Sequence, residues 1–315
     1  MRAALNAITD ELRRLKTAGV KTVAVSDESL AALSRAVHTG RPGVPSAAEI
    51  APAARVPPPV LIASGERSDS LPLAPPPARE PKPVSRVVAP GLPPAPVITL
   101  PDGTKAARWD ALQKLVLADP TCRANVRPGK KVVLGVGALD AKIMFVGEAP
   151  GAEEEIQGEP FVGPAGQLLT KMIQAMGLKR GEVYIGNIMN WRPQMVTSAG
   201  AEQVGNRPPT AEEMTYCLPY LRAQIDVVNP DLLVALGSTA AQGLLGVGSF
   251  KALGDIRGRW HEFAGKPLMV TYHPSYILRN QSTRSKRMIW EDLLKVMERA
   301  GLPISEKQRG FFMER

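Results

Sequence analysis

Four short apolar runs lead directly into side chains able to do chemistry. KIMFVGE (142–148) delivers Glu148 and then a loop carrying Glu153, Glu154 and Glu155. VYIGNIM (183–189) holds Asn187, LLVALG (232–237) runs into Ser238 and Thr239, and LMVTYH (268–273) ends at His273, followed by Pro274 and Ser275. A carboxylate can serve as general base or steady a developing positive charge, and an imidazole can donate to a developing anion. An amide inside an apolar strand is costly unless paired, and it offers a donor and an acceptor side by side. Each of these has a plainer reading. A strand-end Asn caps a loop, a buried His satisfies a carbonyl, and a Glu run is a solvated helix N-terminus favoured by the helix dipole. Phe161, in the turn after Gly158, reads on its own as ordinary core.

The elements that must position these groups are legible. Continuous apolar strands separated by helices indicate an α/β fold with a central, mainly parallel four-stranded sheet flanked by helices. Between the strands, GPAGQLLTKMIQAMG places Leu168, Leu169, Met172, Ile173 and Met176 on one helical face, with Gly177 closing the helix. Thr210 and Glu213 have capping-box spacing and open a helix that buries Met214, Cys217, Leu218, Leu221 and Ile225. In such βαβ architectures the chemistry gathers at the carboxyl ends of the strands, where four polar ends would form one pocket.

Composition marks the boundaries. Of the 30 prolines in 315 residues, 17 fall between Pro42 and Pro101, where no apolar period persists. We read residues 41–107 as a Pro-rich disordered linker, 1–40 as a short helical segment (ALNAITDELRRLKTAG and DESLAALSRAV), 108–300 as the catalytic domain and 301–315 as a C-terminal tail. The formal charge of +9 suits a polyanionic partner. No apolar run is long enough to span a membrane, and the N-terminus lacks the apolar core of a secretory signal, so a cytoplasmic, membrane-free and monomeric protein is expected. The two cysteines, Cys122 and Cys217, exclude a disulfide framework.

The ordered segments VGEAPGAEEEIQGEPFVGPAGQLL, VYIGNI, GNRPPTAEE, LVALGSTAA and TYHPSYILR resemble the motif set of the uracil-DNA glycosylase superfamily, in its bacterial family 4 branch, over roughly residues 108 to 300. The resemblance implies a base-excision-repair hydrolase that flips uracil out of DNA and cleaves its N-glycosidic bond, leaving an abasic site. It implies that Gly147, Ala149, Phe161 and Asn187 hold the base, with Phe161 stacking on it and Asn187 reading N3 and O4. His273 would donate to O2 as charge develops, Glu148 and Glu154 would be functional carboxylates, and Asn206 a candidate to position the water. For the DNA it implies contacts from Gly163, Ser238, Thr239, Ser275, Tyr276 and Arg279, with amides free at the helix starts and 274–279 forming a wedge.

Two departures stand out. Family 4 enzymes typically hold a [4Fe-4S] cluster on four cysteines. Here Trp191 occupies the third position, Cys217 matches the fourth, and the N-terminal pair is reduced to Cys122. Two thiolates cannot ligate such a cluster, so no cofactor or metal is expected and Cys217 is read as a small hydrophobe. The 192–205 loop is also longer than the family pattern and contains no histidine with which to trap a product. No lysine occupies a motif position suited to Schiff-base formation, which implies a monofunctional enzyme. The competing reading is a non-catalytic DNA-binding module of a repair or replication assembly, tethered to a protein partner by its N-terminal segment. A nucleotide-binding metabolic enzyme is disfavoured, since GxGxxG and Walker signatures are missing.

Overall fold

The computed structural model describes residues 91–195 and 202–313. The expected N-terminal helices and most of the Pro-rich linker lie outside the described residues. Two helices lead into the sheet: α1 (Lys105–Ala118), capped by the Thr104 hydroxyl, and α2 (Pro120–Ala124), capped by Asp119. The strands are β1 (Val136–Gly137), β2 (Ile143–Gly147), β3 (Tyr184–Asn187), β4 (Leu232–Leu236), β5 (Trp260–Phe263) and β6 (Lys266–Thr271). They form one six-stranded sheet in the order β1-β3-β2-β4-β6-β5.

The central strands β3, β2, β4 and β6 are mutually parallel, and these are the four runs anticipated from the sequence. The sheet has six strands rather than four because β1 and β5 add antiparallel edges. Neither edge carries the signal that marks a buried parallel strand. β1 is two residues long, and β5 reads Trp-His-Glu-Phe with only Phe263 fully buried.

Alternation along the strands sends side chains to two cores. Met144, Val146, Leu233, Ala235, Leu268 and Val270 face a core shared with α1 and with α5 (Ala211–Val228). Phe145, Ile185, Val234, Leu236 and Met269 face another, closed by α4 (Pro164–Ala175) and α9 (Thr283–Arg299). In α4, Leu169 and Ile173 are fully buried, and Gly177 turns the chain away at φ 87°. The Thr210–Glu213 capping box forms as expected, and α5 continues through Pro219 because tertiary packing on both sides of the proline holds the helix. Segment 301–313 places Leu302, Ile304 and Phe311 against the second core, and Trp290 Nε1 donates to Gln308 O at 2.6 Å.

Four short helices complete this edge: α3 (Ala152–Gln157), α6 (Ser238–Leu245), α7 (Leu253–Ile256) and α8 (Pro274–Arg279). The chain leaves β2 toward β3 on one side and returns to β4 on the other. The carboxyl ends of β2 and β4 therefore diverge into a crevice, the ligand position in open α/β sheets. Register aligns these ends, with Gly147 beside Asn187 and Leu236 beside Thr271.

A buried ion pair fixes the end of β6. Asp292 of α9, 1% exposed, accepts from Thr271 Oγ1 at 2.6 Å and from Arg257 Nη2 at 2.6 Å. Removing one member of such a pair leaves an uncompensated buried charge. Asp292→Ala is expected to destabilise the fold by about 3 kcal/mol, read by denaturant unfolding; a change below about 1 kcal/mol, the level of an exposed pair, would contradict this role.

Candidate active site

The crevice is a cleft of about 590 Å³ lined by all four strand ends. Of the expected catalytic group, Glu148, Glu154, Asn206 and His273 all line it, as do Ala149, Phe161 and Asn187. Ser238, Thr239, Ser275, Tyr276 and Arg279 stand around the same opening. Gly147 and Gly163 lie just behind this lining. A Cβ on Gly147 would come within 2.4 Å of the Phe161 ring and 2.5 Å of Asn187 Oδ1, so only glycine lets these two groups meet over the sheet edge.

The floor is strained into place. Phe161 has φ 55°, an uncommon conformation for a bulky residue. Gly166 of α4 packs so closely beneath it that an added Cβ would sit 1.9 Å from Phe161 O. Arg180 Nη2 donates to Pro160 O at 2.6 Å, and the Phe161 ring lies 5.6 Å from the His273 ring, centroid to centroid.

Asn187 is 6% exposed, and its Oδ1 has no hydrogen-bond partner among the described residues. A buried carbonyl oxygen left this way costs about 1–3 kcal/mol unless a ligand donates to it. It points to a ligand bearing an N–H at that place.

His273 caps α8. Its Nδ1 accepts from Ser275 N at 3.2 Å, which leaves Nε2 as the protonated nitrogen of the neutral ring. Burial, reinforced by Arg279 and opposed by Glu154, lowers its pKa from 6.5 to about 4. The ring is therefore a neutral donor at neutral pH. Burial pushes the Glu148 carboxyl above its ordinary range, and a hydrogen bond with Thr239 only partly offsets this.

The three consecutive glutamates do three different things. Glu153 is exposed. Glu154 Oε1 accepts from Val162 N and Gly163 N, both at 3.0 Å, while Oε2 accepts from Gly151 N at 3.1 Å. The amides at the helix starts, expected to be free for phosphate, are occupied here: those of Gly163 and Gly151 are bound by this carboxylate, and Gly237 N donates to Thr271 O at 2.9 Å. Glu155 is buried and pairs with both Arg127 and Arg192. The sequence reading missed Glu155 and Arg192. The available signal was Arg192 itself, a charge directly after the apolar run that ends at Trp191. Tyr272 was also missed; it stacks on Tyr276 at 4.4 Å between ring centroids, at the rim of the cleft.

The remaining expected feature lies away from the cleft. Cys122, Cys217 and Trp191 are fully buried in one core. Burial first, and neighbouring charges second, push the Cys122 thiol far above its ordinary value; burial does the same for Cys217. Tyr216 and Tyr220 each donate to Asp119 Oδ2 at 2.8 Å, and Asp119 Oδ1 accepts from Cys122 N. Two protonated thiols, a Trp and a tyrosine–carboxylate knot do not fit a group that needs four thiolates. Among the described residues no cluster of three or more His, Cys, Asp or Glu side chains is arranged to hold a metal.

Sequence comparison agrees with this geometry. The family model described as "Uracil DNA glycosylase superfamily" matches residues 134–294. A type-4 uracil-DNA glycosylase of Thermotoga maritima is 43% identical over 165 residues, covering 52% of this chain and 80% of the relative. One from Pyrobaculum aerophilum is 40% identical over 163 residues, covering 50% and 78%. A type-5 uracil-DNA glycosylase of the same organism is 32% identical over 168 residues, covering 52% and 73%. With the motifs, the cleft and these matches in agreement, the chain belongs to the uracil-DNA glycosylase superfamily.

Proposed function

We propose that this chain is a monofunctional uracil-DNA glycosylase of the family 4 type, hydrolysing the N-glycosidic bond of deoxyuridine in DNA to leave an abasic site. The observation that carries the reading is the unpartnered Asn187 Oδ1 in the cleft floor. Uracil N3–H would donate to this oxygen while the amide Nδ2 donates to O4. Cytosine presents an acceptor at N3 and an amino group at C4, so both contacts would clash. Phe161 supplies the face on which the flipped base stacks, and Gly147 and Ala149 keep the backbone close to its edge.

Cleavage moves the C1′–N1 electron pair onto uracil, and a water oxygen then bonds to C1′. His273, neutral with Nε2–H available, donates to uracil O2 as the anion forms. Asn206 holds the water. Glu148 sits at the loop start, where its carboxylate in the ionised form can steady the sugar. Glu154 acts differently from the expectation: its carboxylate is engaged by three backbone amides, which suits it to hold the floor rather than to draw a proton from water. Ser238, Thr239, Ser275, Tyr276 and Arg279 grip the strand beside the cleft, and Leu278, 41% exposed, fits the wedge that replaces the flipped base.

The enzyme works without an iron–sulfur cluster, since Trp191 and the Asp119 knot occupy the packing that surrounds Cys122 and Cys217. The N-terminal segment serves a protein partner, and the enzyme acts as a cytoplasmic monomer. Among the described residues no helix is long and apolar enough to cross a membrane.

Three outcomes test this reading. Asn187→Ala should retain binding to an abasic-analogue duplex while uracil excision falls on the order of a hundredfold, as for a lost transition-state contact; full excision would remove Asn187 from the reaction. The contribution of His273 to the single-turnover rate should be flat from about pH 8 to pH 5 and fall only toward pH 4, because protonating Nδ1 breaks the Ser275 cap; any loss at higher pH belongs to the Glu148 carboxyl, whose pKa burial raises, and should be absent in Glu148→Gln. The same depressed pKa lowers folding stability as pH drops from about 6.5 to about 4, since the unfolded chain takes up a proton first. An imidazole titration of His273 itself near pH 6.5, followed by NMR, would contradict the buried neutral histidine. Purified protein should contain no stoichiometric iron or acid-labile sulfide, and finding them would overturn the cluster-free assignment.

A further inference from the structure

Asn206 is held from behind by a side chain outside the recognised motif roles. Arg192 is buried, with 3% of its side chain exposed, yet its guanidinium is fully engaged. Nε donates to Asn206 Oδ1 at 2.8 Å, Nη1 to Glu155 Oε1 at 2.9 Å, and Nη2 to Gly205 O at 2.7 Å and Gln203 O at 3.4 Å. Glu155 in turn accepts from Arg127. The base of the 192–205 loop is closed by Gln203, whose Nε2 donates to Pro193 O and whose Oε1 accepts from Met195 N.

A guanidinium carries donors only. The Asn206 amide next to it must therefore turn its oxygen toward Arg192, and the orientation of an otherwise ambiguous amide is fixed by charge rather than by preference. Asn206 lines the cleft beside Gly151, so the end left for the cleft is Nδ2, which lies 3.6 Å from where a Gly151 Cβ would stand. The acceptor that a proton-abstracting amide would use is turned away from the reacting atoms.

We propose that Arg192, anchored by Glu155, is a positioning residue that fixes the Asn206 amide with its N–H₂ toward the cleft, so that Asn206 orients the attacking water by donating to its oxygen rather than by accepting its proton. This rests on the reading of Asn206 as the water-holding residue. Such an arrangement suits a bond that breaks before water adds, because the oxocarbenium-like sugar needs a placed lone pair more than a strong base. The water's proton then leaves to solvent after the C1′–O bond forms, and the uracil anion takes up its proton separately.

Asn206→Asp separates donation from acceptance. A carboxylate keeps and strengthens the contact with Arg192 but presents only acceptors to the cleft. The experiment measures single-turnover excision, affinity for an abasic-analogue duplex and Tm for Asn206→Asp, Asn206→Ala, Arg192→Lys and the Arg192→Lys/Asn206→Ala pair. Both Asn206 variants should lose rate to a similar extent, on the order of ten- to a hundredfold, with affinity within about twofold of wild type. Arg192→Lys should lose on the order of tenfold in rate alone, and that loss should vanish in the Asn206→Ala background, the signature of coupled residues.

Wild-type rate in Asn206→Asp would overturn the orientation. An Arg192→Lys loss that persists undiminished without Asn206, or that appears as weakened binding, would reduce Arg192 to a structural support. Full rate in Asn206→Ala would remove Asn206 from water placement, and the role of Arg192 with it.

Discussion

One carboxylate joins the two segments that make the pocket. Glu154 takes three backbone amides, one from the loop that leaves β2 and two from the turn that carries Phe161. Without that tie, a phenylalanine at φ 55° would have no reason to hold its conformation, and the ring face proposed to stack on the base would be lost. The close approach of Gly166 from one side and of Gly147 from the other leaves the turn little alternative position. Charge-assisted bonds to backbone amides are well suited to this task, because they fix main chain directly rather than through another mobile side chain.

The chemistry then follows from which polar groups are satisfied and which are left open. Nδ1 of His273 is occupied, so Nε2–H is the donor offered. Oδ1 of Asn206 is occupied, so its N–H₂ is offered. Oδ1 of Asn187 alone is left open in the floor, at a cost that a ligand N–H recovers. Such pre-assigned donors and acceptors are what the proposed reading requires, in which uracil is selected by complementarity and its anion is stabilised without rearrangement.

The core away from the cleft is held by packing and by a small hydrogen-bonded knot. Here a buried Trp191, two protonated thiols and the Asp119–Tyr216–Tyr220 knot fill it with packing and hydrogen bonds. One donor goes unmet: Trp191 Nε1 finds no acceptor among the described residues, although the ring itself is almost wholly buried. Apolar volume compensates for one unmet donor when the surrounding side chains close around the ring.

The sequence by itself determined the four parallel strands, the Thr210–Glu213 cap and the meeting of Glu148, Asn187 and His273. Continuous apolar runs and strand-end polar residues are local signals, and the parallel topology brings their ends together without further instruction. The edge strands were invisible because a two-residue strand and a half-exposed one carry no pattern. Only the tertiary structure decided what each glutamate of the 153–155 run does, since neighbours one residue apart in a short helix face different partners: solvent for Glu153, backbone amides for Glu154, two arginines for Glu155. It also decided that Gly151 and Gly163 have their amides occupied and that Arg192 backs Asn206. Those facts depend on contacts between segments far apart in the chain, and no local spacing encodes them.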